Sequence, residues 1–446
     1  MHIYIVDVYI NRVMEPNSTR RTFLKGAGAA AAGTGLVGTA SAYSYRESTR
    51  FSVFNIVELQ TEQVQEKGNE QAEHAARIIQ EANPDVIAIK ELDNNHQKAT
   101  AREGIPTDTD NIRAFIDNYL MEPQADHLEG ISFPYTLQPE SNTGLLPEED
   151  YDFNKDGEAG ARPGDAYGFG VYPGHYAFAV ASQYPIIEDE VRTFQEFVWT
   201  DMPGNLAPVD DGSMNINKGD GDIWLTEEEA EVFRLSSKNH VDVPLRVDGE
   251  IVHGLVSHPT PPGFDGSNDF NDRWNHDENR FWADYVAGAD YIYDDDGNEG
   301  GLPEDASYVL MGDQNAGPTA DRVMDPSQPF FFENEDFYTD EIPTSTGGRV
   351  NGNEYATRID GDFEGVVEQV DYVLPSPDFE YEGGEVVWPV RGRAQSEMAT
   401  AVSEASDHRM VWADVNLESD AESESNAELR ALLESLLRSS PGNSNQ

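Results

Sequence analysis

The sequence of 446 residues contains no cysteine. Disulfide bonds and cysteine-based zinc sites are therefore excluded, and the fold must be stabilised by its core and surface. No GxxxxGK[ST] phosphate loop and no GxSxG elbow occurs, which removes P-loop NTPases and serine hydrolases built on that elbow. Beyond the N-terminal region, no run is long and apolar enough to span a membrane, so no stable membrane span is expected.

Basic residues are scarce, with 29 lysines and arginines against 84 acidic residues and a formal net charge of -55. This balance argues against a broad basic track for nucleic acid, although a local one is compatible with it. The acids are spread among aromatic and aliphatic runs, so a disordered acidic tail does not account for them. The acidic residues repel one another over the screening length, which is about 8–10 Å in ordinary buffer and about 3 Å near molar salt. High salt therefore weakens this repulsion, and we expect a halophilic surface.

The N-terminus carries an export pattern. Arg20 and Arg21 lie in the segment TRRTFLK, and a mild Ala/Gly-rich run follows, ending at Ala40-Ser41-Ala42. This pattern is typical of a twin-arginine signal, and predicts an extracellular or cell-surface protein with a signal region at residues 1–42. A transmembrane anchor fits less well because the run is short and rich in glycine. Apolar residues precede the charged region, so Met14 is an alternative start.

The apolar pattern predicts strands interspersed with helices. Strand-like runs occupy residues 51–57, 85–89, 176–182, 252–257, 308–311, 371–374 and 410–415. Residues 66–82 carry alanines and Ile79 at helical spacing, and Asn83-Pro84 predicts the end of that helix. Such mixed strands favour two packed sheets covered by helices. We expect one domain over residues 43–417, followed at 418–446 by an acidic tail with a short amphipathic helix.

Polar motifs end several apolar runs: Phe54-Asn55, Lys90-Glu91, Ser257-His258-Pro259, Gly312-Asp313-Gln314-Asn315, Val370-Asp371-Tyr372 and Ser406-Asp407-His408. A strand that stops at such a group delivers it to its carboxyl end, where open α/β folds place their chemistry. Carboxylates and amides suit a hard cation, and two histidines can move protons near neutrality. The motifs together indicate a metal site with acid/base groups.

The set and its order resemble the endonuclease/exonuclease/phosphatase superfamily of deoxyribonuclease I-like metal-dependent phosphoesterases. The resemblance spans residues 51–415 and implies an α/β (α+β) fold, a four-layer sandwich of two packed mixed β-sheets flanked by helices. Residues 165–170, 172–176 and 235–259 look like a secreted, haloarchaeal-type subgroup.

The resemblance implies a role for each motif. Glu91 holds the divalent ion, Asn55 orients the site beside it, and Asp407 is a second carboxylate on the metal side. Lys90 stands where the family usually has glutamine, which puts the details of ligation in question. Taken alone, Glu91 also reads as an ordinary surface acid past a strand end.

The catalytic roles fall on five further residues. The resemblance implies that Asp313 orients or activates the attacking water and that Asn315 donates to the phosphate. His258 would protonate the leaving oxygen or stabilise the transition state, and Asp371 would orient His408. Whether His408 or Asp313 is the general base stays open. Taken alone, His258 also reads as a buried histidine with satisfied hydrogen bonds.

These roles imply Mg2+ or Mn2+ as the cofactor. Separately, Asp152, Asn154 and Asp156 have the oxygen spacing of a calcium loop, against the alternative of an acidic turn. We expect a secreted metal-dependent hydrolase of a small or single-stranded phosphoester. One alternative is an extracellular nuclease that acts on DNA or RNA without duplex specificity, and another is a non-catalytic cation-binding surface protein. The sequence does not fix an oligomeric state.

Overall fold

A computed structural model describes residues 48–100, 103–212, 216–219, 221–264, 266–318, 324–360, 366–390 and 396–417. The signal region and the tail predicted at 418–446 lie outside these residues. Among the described residues, none of the helices combines the length and the apolarity that a bilayer crossing needs.

The strands are β1 Thr49–Leu59, β2 Val86–Leu92, β3 His96–Thr100, β4 Glu103–Pro106, β5 Tyr135–Leu137, β6 Phe178–Ser182, β7 Arg192–Thr193, β8 His240–Val247, β9 Glu250–Ser257, β10 Ser307–Asp313, β11 Arg358–Asp360, β12 Val366–Glu368, β13 Asp371–Pro375, β14 Phe379–Val386 and β15 Val411–Leu417. The α-helices are α1 Thr61–Gln65, α2 Glu70–Ala82, α3 Asn111–Phe115, α4 Glu227–Ala230, α5 Phe270–Val286, α6 Thr346–Val350 and α7 Ser396–Ala405.

Two mixed sheets form the centre of the described chain. The first has six strands in the order β14-β15-β1-β2-β6-β5, and the second has five in the order β13-β10-β9-β8-β7. β1 runs parallel to β2 and antiparallel to β15. β10 runs parallel to β9 and antiparallel to β13, with Asp313 opposite Asp371.

The side chains of β10 alternate between two apolar clusters, as the period of a strand dictates. Val309 and Met311 belong to a cluster that includes β1 and α2. Leu310 belongs to a second cluster with Phe281 and Trp282 of α5. The second sheet therefore packs on the first sheet with one face and on α5 with the other. The predicted fold, two packed mixed sheets flanked by helices, is confirmed.

Each predicted strand is present, but the predicted helix at residues 66–82 starts four residues late. Glu66 is extended with φ -118°, and Gly68 takes the left-handed value φ 97°. The Asn69 side chain then accepts a hydrogen bond from the Ala72 backbone N–H at 3.0 Å, which caps the helix from Glu70 onward. The end at Ala82 was predicted correctly.

Candidate active site

Strand ends of both sheets meet at one edge of the sandwich. β1, β2, β9 and β10 bring their carboxyl ends to this edge, while β13 starts there and His408 lies just before β15. Parallel pairing of β1 with β2 and of β9 with β10 places these ends together.

Asn55 joins the two sheets at this edge. Its Nδ2 donates to Glu91 Oε1 at 3.0 Å and to Asp313 Oδ2 at 2.9 Å. Its Oδ1 accepts from the Val57 N–H at 2.9 Å, which fixes the amide. A single buried side chain thus holds two carboxylates from different sheets close to each other.

The backbone around Glu91 is bent out of regular strand geometry. Val57, Glu58 and Glu91 have φ values of 57°, 49° and 61°, a region that costs non-glycine residues about 1–3 kcal/mol each. The bend lets the Glu58 N–H donate to Glu91 Oε2 at 2.9 Å. Burial raises the pKa of Glu91, against the hydrogen bond from Asn55. Both oxygens of Glu91 are therefore held in fixed directions.

Asp313 lies between two histidines. Its Oδ2 is 3.4 Å from His258 Nε2 and 3.7 Å from His408 Nδ1. Burial acts to raise the pKa of Asp313, but the charge of His408 outweighs it and holds this pKa at about 2. Burial and the nearby Lys238 cation hold the pKa of His258 well below its usual value. Asp313 is therefore ionised and His258 neutral at pH 7.

The orienting residues of His408 come from three segments. Asp371 Oδ2 is 2.9 Å from His408 Nδ1, and Thr357 Oγ1 accepts from the Asp371 N–H at 3.0 Å. Ser406 Oγ donates to Asn55 O at 2.7 Å and accepts from the His408 N–H at 2.9 Å. Burial acts to lower the pKa of His408, but Asp371 and Asp313 raise it to about 10. Burial raises the pKa of Asp371 to about 6.

Two of the predicted residues lie at the margin of this cluster. Asn315 donates through Nδ2 to Pro259 O at 3.1 Å, and its backbone N–H donates to Asp313 Oδ1 at 3.0 Å. Asp407 is 39% exposed, with Oδ1 4.0 Å from His408 Nε2, and it pairs with Arg358 at 3.5 Å.

The donor set fits a hard divalent cation. Ligand atoms of Asp313, Asp371 and His408 lie within 4.8 Å of one another, and Glu91 adjoins Asp313 through Asn55. Asp371 Oδ1 and Asp407 Oδ1 are buried atoms without a hydrogen-bond partner among the described residues. Carboxylate oxygens of this kind are the ligands that Mg2+ and Mn2+ prefer.

The sequence profile described as "Endonuclease/Exonuclease/phosphatase family" matches residues 63–408. The chain belongs to this family. It is therefore a hydrolase of ester bonds in a family of phosphoesterases and nucleases. A second profile, the twin-arginine translocation pathway signal, matches residues 17–37, which indicates export by that route as predicted.

The solved structures to which the chain is similar match it at low identity. A family protein of Beutenbergia cavernae is 15% identical with a TM-score of 0.47, over 84% of this chain and 72% of that one. A Bacteroides vulgatus family protein is 12% identical with a TM-score of 0.41, over 83% and 99%. Sphingomyelinase C of Streptomyces griseocarneus is 15% identical with a TM-score of 0.40, over 83% and 99%. No curated protein matches the chain.

Two lysines beside this family site carry no role from sequence reasoning. Lys90 is fully buried, lies over the Phe178 ring at 4.5 Å, and its Nζ has no hydrogen bond among the described residues. Burial holds the pKa of Lys90 well below its usual value, against Asp313 and Asp371. Lys238 is 7% exposed. No apolar periodicity in the sequence marks either lysine as a site residue. Lys90 does stand where the family usually has glutamine.

The predicted calcium loop forms a turn held by its own side chains. Asp152 Oδ2 accepts from the Gly157 N–H at 3.1 Å, and Asn154 Nδ2 donates to Asp156 Oδ2 at 3.0 Å. Asp152 Oδ1 is a buried atom without a hydrogen bond among the described residues. Calcium binding at this turn stays a prediction.

Proposed function

We propose that the protein is a secreted phosphoesterase, dependent on Mg2+ or Mn2+, that hydrolyses a small or single-stranded phosphoester by in-line attack of water. The observation that carries this proposal is the convergence on Asp313, which lies within 3.4 Å of His258 and within 3.7 Å of His408, and shares the Asn55 amide with Glu91. These are the groups that phosphoryl transfer needs for positioning and charge neutralisation.

The metal would be held by Glu91, with Asn55 orienting that carboxylate and Asp407 as a second carboxylate on the same side. When bound, the ion neutralises phosphate charge and polarises the phosphoryl group. Asp313 and His408 form the pair that orients the attacking water and handles its proton, and Asp371 keeps the imidazole of His408 in place. Asn315 donates to the phosphoryl oxygen, and His258 faces the leaving oxygen.

The charge of the chain supports a compact substrate over duplex DNA. Duplex binders neutralise many phosphates with clustered lysines and arginines, whereas this chain has 29 basic against 84 acidic residues. High salt screens the repulsion between the acidic protein and DNA, but it adds no attraction between them. A site of a few side chains can still hold one phosphate group.

A substrate panel tests the proposal. Purified protein in multimolar KCl with Mg2+ or Mn2+ is incubated with plasmid DNA, single-stranded DNA, RNA, a cyclic nucleotide, a lipid phosphodiester and a sugar phosphate. We expect hydrolysis of a small or single-stranded substrate by the wild type and its loss in His408→Ala. Rapid cleavage of the plasmid with small phosphoesters untouched would instead favour the nuclease alternative. Metal binding without any hydrolysis would favour the non-catalytic alternative.

A further inference from the structure

Lys238 occupies a rigid segment just before β8. The Ser237 N–H donates to Glu278 Oε1 at 2.7 Å, and the Asn142 N–H donates to Lys238 O at 2.8 Å. Gly168 packs so closely that a Cβ there would lie 1.7 Å from Ser237 O. The backbone of Lys238 is thus held from three directions, which fixes where its side chain starts.

The ammonium of Lys238 lies beside Asn315. Lys238 Nζ donates to Pro259 O at 3.3 Å, and Asn315 Nδ2 donates to the same oxygen at 3.1 Å. Pro259 directly follows His258 in the chain. Two donors, one of them a cation, therefore lie side by side next to the histidine of the site.

Lys238 has more donors than acceptors. An ammonium offers three N–H groups, and Pro259 O is its single hydrogen-bond acceptor among the described residues. Burial lowers the pKa of Lys238, and the Glu278 carboxylate opposes this, but that carboxylate already accepts from the Ser237 N–H at 2.7 Å and from the Thr260 N–H at 2.6 Å. A buried cation without a paired anion is costly. An anion held beside Asn315 would supply that pair.

We propose that Lys238 binds a non-bridging oxygen of the substrate phosphoryl group alongside Asn315. Lysine is suited to this role because it meets phosphate as a compact point charge with three donors. The assignment rests on the proposed phosphoesterase function. Inorganic phosphate, as the product of a monoester or as an analogue of the bound group, should bind the same donors.

Lys238→Gln tests the role because glutamine keeps a donor near Pro259 O and removes the charge. The matched control is Lys67→Gln, which removes an exposed cation paired with Glu122 at 2.7 Å. Calorimetry in multimolar KCl with Mg2+ gives the Kd of inorganic phosphate, and kinetics give KM and kcat on the best substrate of the panel. Circular dichroism and thermal midpoints establish that each variant is folded.

We expect Lys238→Gln to raise the phosphate Kd and KM by about tenfold or more, the effect of one charge-assisted hydrogen bond, while kcat changes less. Lys67→Gln should stay within about twofold of the wild type. An unchanged Kd and KM in folded Lys238→Gln would overturn the assignment while leaving the phosphoesterase function intact. A wild type that neither binds phosphate nor hydrolyses any phosphoester would contradict both the role of Lys238 and the phosphoesterase function.

A crystal structure of the wild type with Mg2+ and inorganic phosphate decides the question without a variant. Phosphate oxygen within about 3.2 Å of Lys238 Nζ supports the assignment. Phosphate bound at the site with its oxygens directed away from that nitrogen contradicts it.

Discussion

His408 Nδ1 lies 2.9 Å from Asp371 Oδ2, and both side chains are buried. Asp371 opens β13, while His408 lies 37 residues further along the chain. The contact therefore depends on the antiparallel pairings that bring β13 and β15 to the same edge. It makes the charge of Asp371 the chief support for a protonated His408.

Asp371→Asn should keep the shape of the pair and remove its charge. We expect turnover to fall by at least about a hundredfold. In metal-free protein, the pKa of His408 should also fall from about 10 toward its ordinary value, because Asp371 is the largest influence that raises it. Imidazole NMR resonances followed against pH measure this change, and a pKa of His408 that does not move would contradict the account.

Lys90→Met should stabilise the protein. Lys90 buries an amine without a hydrogen-bond partner among the described residues, and such a group costs about 1–3 kcal/mol. Denaturant unfolding at fixed KCl should show a gain of about that size. The control Lys67→Met, at an exposed ion pair, should change stability by less than about 0.5 kcal/mol. A clear loss of stability in Lys90→Met would mean that the amine is paired in the native protein.

His240 should make the fold sensitive to acid. Its Nδ1 is 2.7 Å from Ser236 Oγ and its Nε2 is 2.9 Å from Glu278 O. Burial lowers the pKa of His240 to about 3, so below pH 6.5 the unfolded chain binds a proton that the folded chain does not. The stability from this residue is complete above about pH 6.5 and is lost as the pH falls toward 3.

The variant His240→Gln isolates this contribution because the other titrating groups are common to both proteins. The free energy of unfolding of the wild type relative to the variant should fall by up to about 1.4 kcal/mol per pH unit between pH 6.5 and 3. Above pH 7 the difference should be constant. If the free energies of unfolding of the two proteins stayed parallel over the acid range, His240 would have its ordinary pKa in the folded protein, which would contradict the prediction.

The sequence predicted the strands and the residues at their ends because both depend on local pattern. Asn55 and Glu91 end apolar runs, and a sheet edge follows from that placement. The start of α2 was predicted too early because the helical pattern continues through Gly68 and Asn69. The helix is delayed there by the left-handed backbone of Gly68 and the cap at Asn69. The burial of Lys90 and the approach of Lys238 to Asn315 depend on how distant segments pack, which no local pattern encodes.

Salt should stabilise the protein. The chain carries a formal net charge of -55, and self-repulsion weakens as the Debye length falls from about 10 Å at 0.1 M to about 3 Å at 1 M. The thermal midpoint should therefore rise from low to multimolar KCl. Sucrose at matched osmolality serves as a non-ionic control and should give a smaller rise. A midpoint that falls with KCl would reject the halophilic surface.

Metal dependence is the central claim, since Glu91, the proposed metal ligand, shares the Asn55 amide with Asp313, which lies 3.7 Å from His408. The measurement is the initial rate on the best small phosphoester of the panel in multimolar KCl, before chelation, after chelation and dialysis, and after Mg2+ or Mn2+ is restored. The account predicts that activity disappears with the metal and returns with it, and that Glu91→Gln needs a higher metal concentration for half-maximal rate. Full activity in thoroughly chelated protein would contradict the account.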